Sequence, residues 1–317
     1  MGTRKRGPLR NWAEYIALRL AAGTLQCVPV EENLATMRAV GSLYYRRSER
    51  HRTRAHTHIG FAFPELTPDE VAATAEACIQ HMMMTLVVDM LYTPRLINED
   101  SWPDYVQLGH IRPVLDRMLE RQPLVLLTGH CGNWELLGYM LSLIGLPIAA
   151  LARPLDNPLI DAYIGGLREA RGMEIIRKWG ATPVVQEKLR RGGWIGFIAD
   201  QNAGDRGLFV PFFGRLASSY KSIGMMAMRY RVPVAAGYAR RIGLPLRYRL
   251  EVVDIMYPHE WEAHDDPLFY ITARYSRAME TMIRQAPEQY LWLHRRWKSR
   301  PKFEREGKPM PARIRRK

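Results

Sequence analysis

Apolar residues change their rhythm along the chain near residue 110. Before that point they recur at helical spacing and predict helices at 34–45 and from Pro68 to Leu91, with Thr67 as N-cap and Pro68 at the first helical position. The second of these is apolar on most sides through Met82, Met83, Met84, Leu86, Val87 and Val88, which reads as a buried helix. Beyond residue 110, short apolar runs at 124–127, 148–151, 174–177, 194–199, 232–239 and 246–253 predict strands. Amphipathic stretches at 114–121, 133–144, 156–171, 183–191, 219–230 and 267–284 predict the helices between and after them. Strands that are apolar throughout need cover on both faces. The expected fold is therefore α/β: a mixed, mostly parallel sheet with helices on both faces, preceded by an N-terminal helical, membrane-proximal segment. The expected division is 1–60 for that segment, 61–300 for a single α/β domain, and 301–317 for a flexible basic tail.

Composition narrows the class. With 317 residues, 47% of them apolar, the chain can bury a sizeable core. Cys27, Cys78 and Cys131 are odd in number and lack CxxC spacing, so neither a disulfide framework nor a cysteine zinc site is indicated. The formal charge of +14 is unevenly placed: residues 295–317 carry +9, while 1–10 and 46–54 carry +4 each. The rest of the chain is left near neutral, at −3. Basic ends of this kind suit an anionic membrane surface, nucleic acid or an acidic protein partner, or they form a solvated tail.

The stretch from Trp12 to Val30 is apolar but interrupted by Glu14, Arg19 and Gln26, short of the ~20 apolar residues a bilayer core requires. Preceded by Arg4, Lys5, Arg6 and Arg10, it reads as an interfacial helix rather than a span or a signal peptide. The longest uncharged run, Leu136 to Ala152, contains Gly138, Ser142, Gly145 and Pro147 and reads as a buried helix followed by a strand. A peripheral membrane protein is expected.

Ligands of open α/β sheets bind beyond the carboxyl ends of the strands. Here three predicted strands end in His130, in Arg153 and in Asp200-Gln201, so parallel pairing brings an imidazole, a guanidinium and a carboxylate together. In Thr128-Gly129-His130-Cys131-Gly132-Asn133-Trp134-Glu135 the two glycines permit a tight strand-to-helix turn. Glu135, in the first turn of the following helix, can fold back to accept the imidazole N–H, making His130 a base with an orienter. A purely structural account gives Asn133 to the helix cap and Glu135 to the helix dipole, with His130 as a backbone-bonded loop residue.

The neighbouring blocks decide between these accounts. Gly129-His130-Cys131-Gly132-Asn133-Trp134-Glu135 resembles the H-x4-D/E block of glycerolipid-type acyltransferases, in the GHxGNWE form of the lipid A biosynthesis (lauroyl/myristoyl) acyltransferase family. The resemblance continues through Phe63-Pro64-Glu65, Arg153-Pro154…Asn157-Pro158 and Asp200-Gln201 to Val210-Pro211-Phe212-Phe213-Gly214. It ends with Pro287-Glu288-Gln289-Tyr290-Leu291-Trp292-Leu293-His294-Arg295-Arg296, and spans about residues 10–300. It implies transfer of a fatty acyl group from a thioester of acyl carrier protein or coenzyme A to a hydroxyl of a lipid A precursor or related saccharide lipid. The expected place is the cytoplasmic face of the inner membrane. His130 would be the general base and Glu135 its orienter. Arg153 would hold an acceptor phosphate or steady the oxyanion, with Asp200 positioning Arg153 or the acceptor. Gln201 and Asn133 join Arg153 and Asp200 in the substrate-binding set, and Phe212-Phe213-Gly214 reads as packing with a tight turn. No cofactor, metal or nucleic acid is expected, and Cys131 reads as packing rather than as a nucleophile.

Three alternatives stand beside this. The first is an acyl-CoA-dependent transferase acting on another phosphoglycolipid or an aminolipid. The second is a metal-dependent hydrolase drawing on His56, His58, His259, Glu260, His264, Asp265 and Asp266, whose spacing matches no zincin pattern. The third is a basic membrane- or nucleic-acid-binding module, for which no recognised signature is present.

Overall fold

The protein is seen here as a computed structural model that describes residues 7–177 and 180–310. Arg4, Lys5, Arg6 and the last seven residues of the basic tail lie outside the described residues. The N-terminal part is helical: α1 (Pro8–Gln26), α2 (Val30–Arg47), α3 (Glu49–Ala62) and α4 (Pro68–Met83). Thr67 caps α4 as predicted, in a reciprocal capping box with Glu70. The helix then widens through a π-helical stretch, Met84–Asp89, into α5 (Met90–Leu96). The run Pro68–Leu96 is long and apolar enough to cross a membrane by length and composition. It packs against α2 and α3 and buries Ala75, Cys78, Ile79, Met84 and Val88 in the interior of the fold.

A short α6 (Trp102–Tyr105) and β1 (Val106–Leu108) lead into the alternating part. It comprises α7 (Arg112–Leu119), β2 (Leu124–Thr128), α8 (Trp134–Leu143), β3 (Ile148–Ala152), α9 (Pro158–Glu169), β4 (Glu174–Arg177), α10 (Ala181–Arg190) and β5 (Trp194–Ile198). A hairpin follows, β6 (Leu208–Phe212) and β7 (Arg215–Ser219), then α11 (Lys221–Tyr230), β8 (Val234–Arg241) and β9 (Tyr248–Met256). The chain closes with α12 (Pro258–Glu262), α13 (Pro267–Gln285) and α14 (Lys302–Arg305).

The seven-stranded sheet has the order β1-β9-β8-β2-β5-β3-β4 and is parallel except for the β8–β9 pair. β2 is buried along its whole length, as an apolar central strand must be. One face of the sheet packs on α8; the other shares a core with α3, α4 and α13, so the N-terminal helices are continuous with the sheet's interior. The Val210-Pro211-Phe212-Phe213-Gly214 block forms the β6–β7 hairpin, turning at Phe213 and Gly214, both at positive φ.

The charge map changes in one respect. Arg296, counted with the basic tail, is 1% exposed and donates to the Ser218 carbonyl and the Ser219 hydroxyl. Arg300 likewise donates to the Leu216 carbonyl and pairs with Glu304. These two cations fasten the C-terminal segment to the hairpin.

Candidate active site

The turn from β2 into α8 is fixed by close backbone contacts. Gly132 has φ +62°, and a Cβ there would lie 2.1 Å from the Ala239 carbonyl oxygen, so only glycine fits. Gly129 lies against Asp200, where a Cβ would come within 3.3 Å of the Asp200 Cβ. From outside, the C-terminal segment braces the turn: Leu291 N–H donates to the His130 carbonyl and Gly132 N–H to the Gln289 carbonyl, both at 2.9 Å.

Asn133 belongs to this scaffold. It is fully buried; its Oδ1 caps α8 by accepting from Leu136 N–H at 2.8 Å, and its Nδ2 donates to Asp89 at 2.9 Å. Asp89, delivered by the π-helical turn, forms a buried ion pair with Arg241, while Gln289 bonds the backbone N–H and carbonyl of Arg241. His81, whose burial pushes its ionisation down to about 4, contacts the Gly132 carbonyl through Nε2 at 3.1 Å. The expectation that Asn133 binds substrate is therefore corrected: both ends of its amide are used inside the protein.

The strands converge as parallel pairing requires. β5 lies between β2 and β3, and their carboxyl ends carry Asp200-Gln201, His130 and Arg153 to one edge. There Asp200 meets His130 at two points: its Oδ2 accepts from the His130 backbone N–H at 2.9 Å, and its Oδ1 lies 2.8 Å from Nδ1. Asp200 is fully buried, and the His130 side chain is 14% exposed. This corrects two expectations. The imidazole partner is Asp200 and not Glu135, and Asp200 is too deeply engaged to position Arg153. Glu135 is held instead by Arg168, whose Nε and Nη2 donate to its two oxygens at 2.8 and 2.6 Å. Arg168, on α9, carried no motif; its part in the site follows from the packing of α9 on α8.

Burial of His130 disfavours its charged form, but attraction and hydrogen bonding from Asp200, with a further contribution from Glu135, outweigh it and raise its pKa. Burial of Asp200 acts in the opposite sense on an acid, and the nearby His130 and His294 overcome it, so Asp200 stays ionised. The His130 ring stands between Trp134 and His294, with ring centroids 4.8 and 4.4 Å away. Burial, and secondarily His130 itself, push His294 down to about 4. Cys131 is 2% exposed and its thiol is raised well above the usual range by burial, which does not suit a nucleophile.

His130, Trp134, Glu135, Arg168 and Gln201 line one cavity of about 420 Å³, which continues between α8 and the sheet along apolar side chains. Such a volume lies in the ordinary range for ligand pockets. Arg153 also lines it, with its side chain 66% exposed and a long 3.8 Å contact to Asp156. The residues weighed as metal ligands are dispersed: His56 meets Tyr45, His58 the Trp292 carbonyl, and Glu260 Arg274. Among the described residues no three His, Cys, Asp or Glu side chains gather at a metal-binding spacing.

Residues 4–299 match the family model for the bacterial lipid A biosynthesis acyltransferase. The chain is 28% identical to the lipid A biosynthesis lauroyltransferase of Escherichia coli K12, over 85% of each chain. It is 24% identical to a lipid A biosynthesis acyltransferase of Haemophilus influenzae, over 78% of this chain and 76% of that one. With the lipid A biosynthesis myristoyltransferase of E. coli K12 it shares 23% identity over 92% and 88% of the two chains. A histidine–aspartate pair at the mouth of an apolar cavity, on the carboxyl edge of an α/β sheet, thus belongs to a member of the bacterial lipid A biosynthesis acyltransferase family, and the protein is an acyltransferase.

Proposed function

We propose that the protein transfers a fatty acyl group from an acyl thioester, carried by acyl carrier protein or coenzyme A, to a hydroxyl of a lipid A precursor or a related saccharide lipid. His130 is the general base and Asp200 its orienter. This rests on the His130–Asp200 contact at the cavity mouth. With Nδ1–H donated to Asp200, Nε2 is the nitrogen left to take a proton.

The acceptor hydroxyl gives its proton to His130 Nε2 as its oxygen attacks the thioester carbonyl. The tetrahedral intermediate collapses with cleavage of the C–S bond, and the imidazolium returns the proton to the departing thiolate. The Asp200 carboxylate stabilises the imidazolium between these steps. Arg153, exposed at the rim, offers charge-assisted hydrogen bonds to an acceptor phosphate. Gln201 adds a polar contact at the same mouth. Glu135, kept in place by Arg168, adds negative potential that favours the imidazolium.

A membrane surface is the proposed working place. Leu9, Trp12, Ile16 and Leu20 form one exposed stripe on α1, with Arg10 and Arg19 on the same helix. α1 sits beside the rim of the cavity, since Asn157 Nδ2 donates to the Asn11 carbonyl and Tyr15 packs edge-on to Tyr163. The test uses purified protein, a lipid A precursor and labelled acyl thioesters of each carrier in parallel. Acylated saccharide lipid with one or both carriers is expected; no product with any saccharide lipid overturns the substrate class.

A further inference from the structure

The cavity behind His130 runs back along the sheet toward the amino end of β3. β2, β5, β3 and β4 lie side by side, and Leu126, Gly196, Ala150 and Ile175 stand level across them in register. The two central positions hold the smallest side chains, which leaves a trough along the sheet with taller walls to either side. Alternate residues of one strand share a face, so Ala152, Ala150 and Ile148 mark successive depths along β3. α8 roofs the trough: Trp134 and Glu135 lie near His130, and Leu141 lies toward the far end.

At that far end Met173, just ahead of β4, is 5% exposed and reaches under α8. Its Sδ approaches Gly138 so closely that a Cβ on Gly138 would stand 2.6 Å away. The missing side chain at 138 makes room for Met173, and Met173 and Ile148 line the trough at the end where β3 begins. An unbranched thioether fills such a gap by adjusting its rotamers, and it can be shortened without leaving a polar group behind.

We propose that Met173, seated against Gly138 at the end of this trough, sets the length of the acyl chain the enzyme transfers. The proposal rests on the acyl-transfer reading above and adds to it the chain-length selectivity. From Ala152 to Ile148 the trough runs four strand residues, about 13 Å at ~3.3 Å per residue. A tetrahedral zigzag of ~1.5 Å bonds advances about 1.25 Å per carbon, so roughly ten carbons fit beyond the rim. The preferred donor is a medium-length saturated chain.

Two substitutions act in opposite directions. Met173→Ala removes the stop and lengthens the trough. Gly196→Val fills its floor, where a Cβ would meet Ile148 at an ordinary 3.4 Å. The experiment offers wild type and both variants an equimolar mixture of decanoyl, lauroyl, myristoyl and palmitoyl thioesters and reads the product lengths by mass spectrometry. Wild type is expected to favour decanoyl to myristoyl over palmitoyl. Met173→Ala should raise the palmitoyl-to-lauroyl product ratio about tenfold or more, since one methylene in an apolar pocket already discriminates by ~10- to 200-fold. Gly196→Val should move the optimum to shorter chains. Product from all three enzymes with the same length distribution overturns the proposal while leaving acyl transfer intact. Absence of any product from wild type overturns the underlying reading instead. If one variant fails to fold, the other still decides, because each makes its own directional prediction.

Discussion

Two carboxylates act on His130, and they differ in what holds them. Glu135 is five residues along the chain, partly exposed, and paired with Arg168. Asp200 is seventy residues away, fully buried, and bonded to both the backbone N–H and Nδ1 of the same histidine. Proximity in sequence gave the wrong partner for the imidazole; adjacency of β2 and β5 gave the right one. A helix-first-turn acid follows its helix and meets whatever packs on it, here α9. A residue at the end of the neighbouring parallel strand is brought to the histidine by the sheet register.

The division between a reacting edge and a supporting interior can be broken at several points. The largest effect is expected from His130→Ala, which should lower turnover by about 10²- to 10⁴-fold with the fold intact by circular dichroism. Unchanged turnover would remove the histidine from the chemistry. Asp89→Ala strikes the interior: it leaves Arg241 buried without its partner and takes an acceptor from Asn133. A loss of ~3–5 kcal/mol in denaturant unfolding is expected. A loss confined to turnover, with stability unchanged, would mean that Asp89 serves the reaction directly. Glu135→Gln should reduce turnover about tenfold, ~1.4 kcal/mol, because His130 keeps its buried partner. Its acid limb should move slightly toward lower pH, since Glu135 is the smaller of the two carboxylate influences raising His130. Cys131→Ala, the mildest change, should leave turnover in place under the same assay; its abolition would reopen a thiolate mechanism.

Much of the architecture was legible in the pattern of apolar runs. The six strands expected after residue 110 are all present, and the convergence of His130, Arg153 and Asp200 follows from parallel pairing alone. What was not legible depended on packing between distant segments. Arg168 looked like any charge on an amphipathic helix until α9 met α8. Asn133 looked like a polar group at a catalytic turn, and only the buried Asp89–Arg241 pair shows where its amide is spent. Arg296 sat in a run of basic residues with nothing to mark it as buried. The β6–β7 hairpin was hidden because Pro211 and Phe212-Phe213-Gly214 break simple alternation, although the tight turn was readable from Gly214.

The most direct test of the central assignment is the pH dependence of kcat/KM for Asp200→Asn beside Glu135→Gln and wild type. A general base works deprotonated, so activity falls as pH drops through the pKa of His130, which Asp200 holds above its ordinary value. Removing the Asp200 charge leaves the opposing influence of burial, so the acid limb of Asp200→Asn should move to lower pH while its plateau falls about 10²- to 10⁴-fold. Glu135→Gln should show the smaller change on both counts. An unaltered limb and plateau in Asp200→Asn, with the large change in Glu135→Gln, would contradict the account and return the orienting role to Glu135.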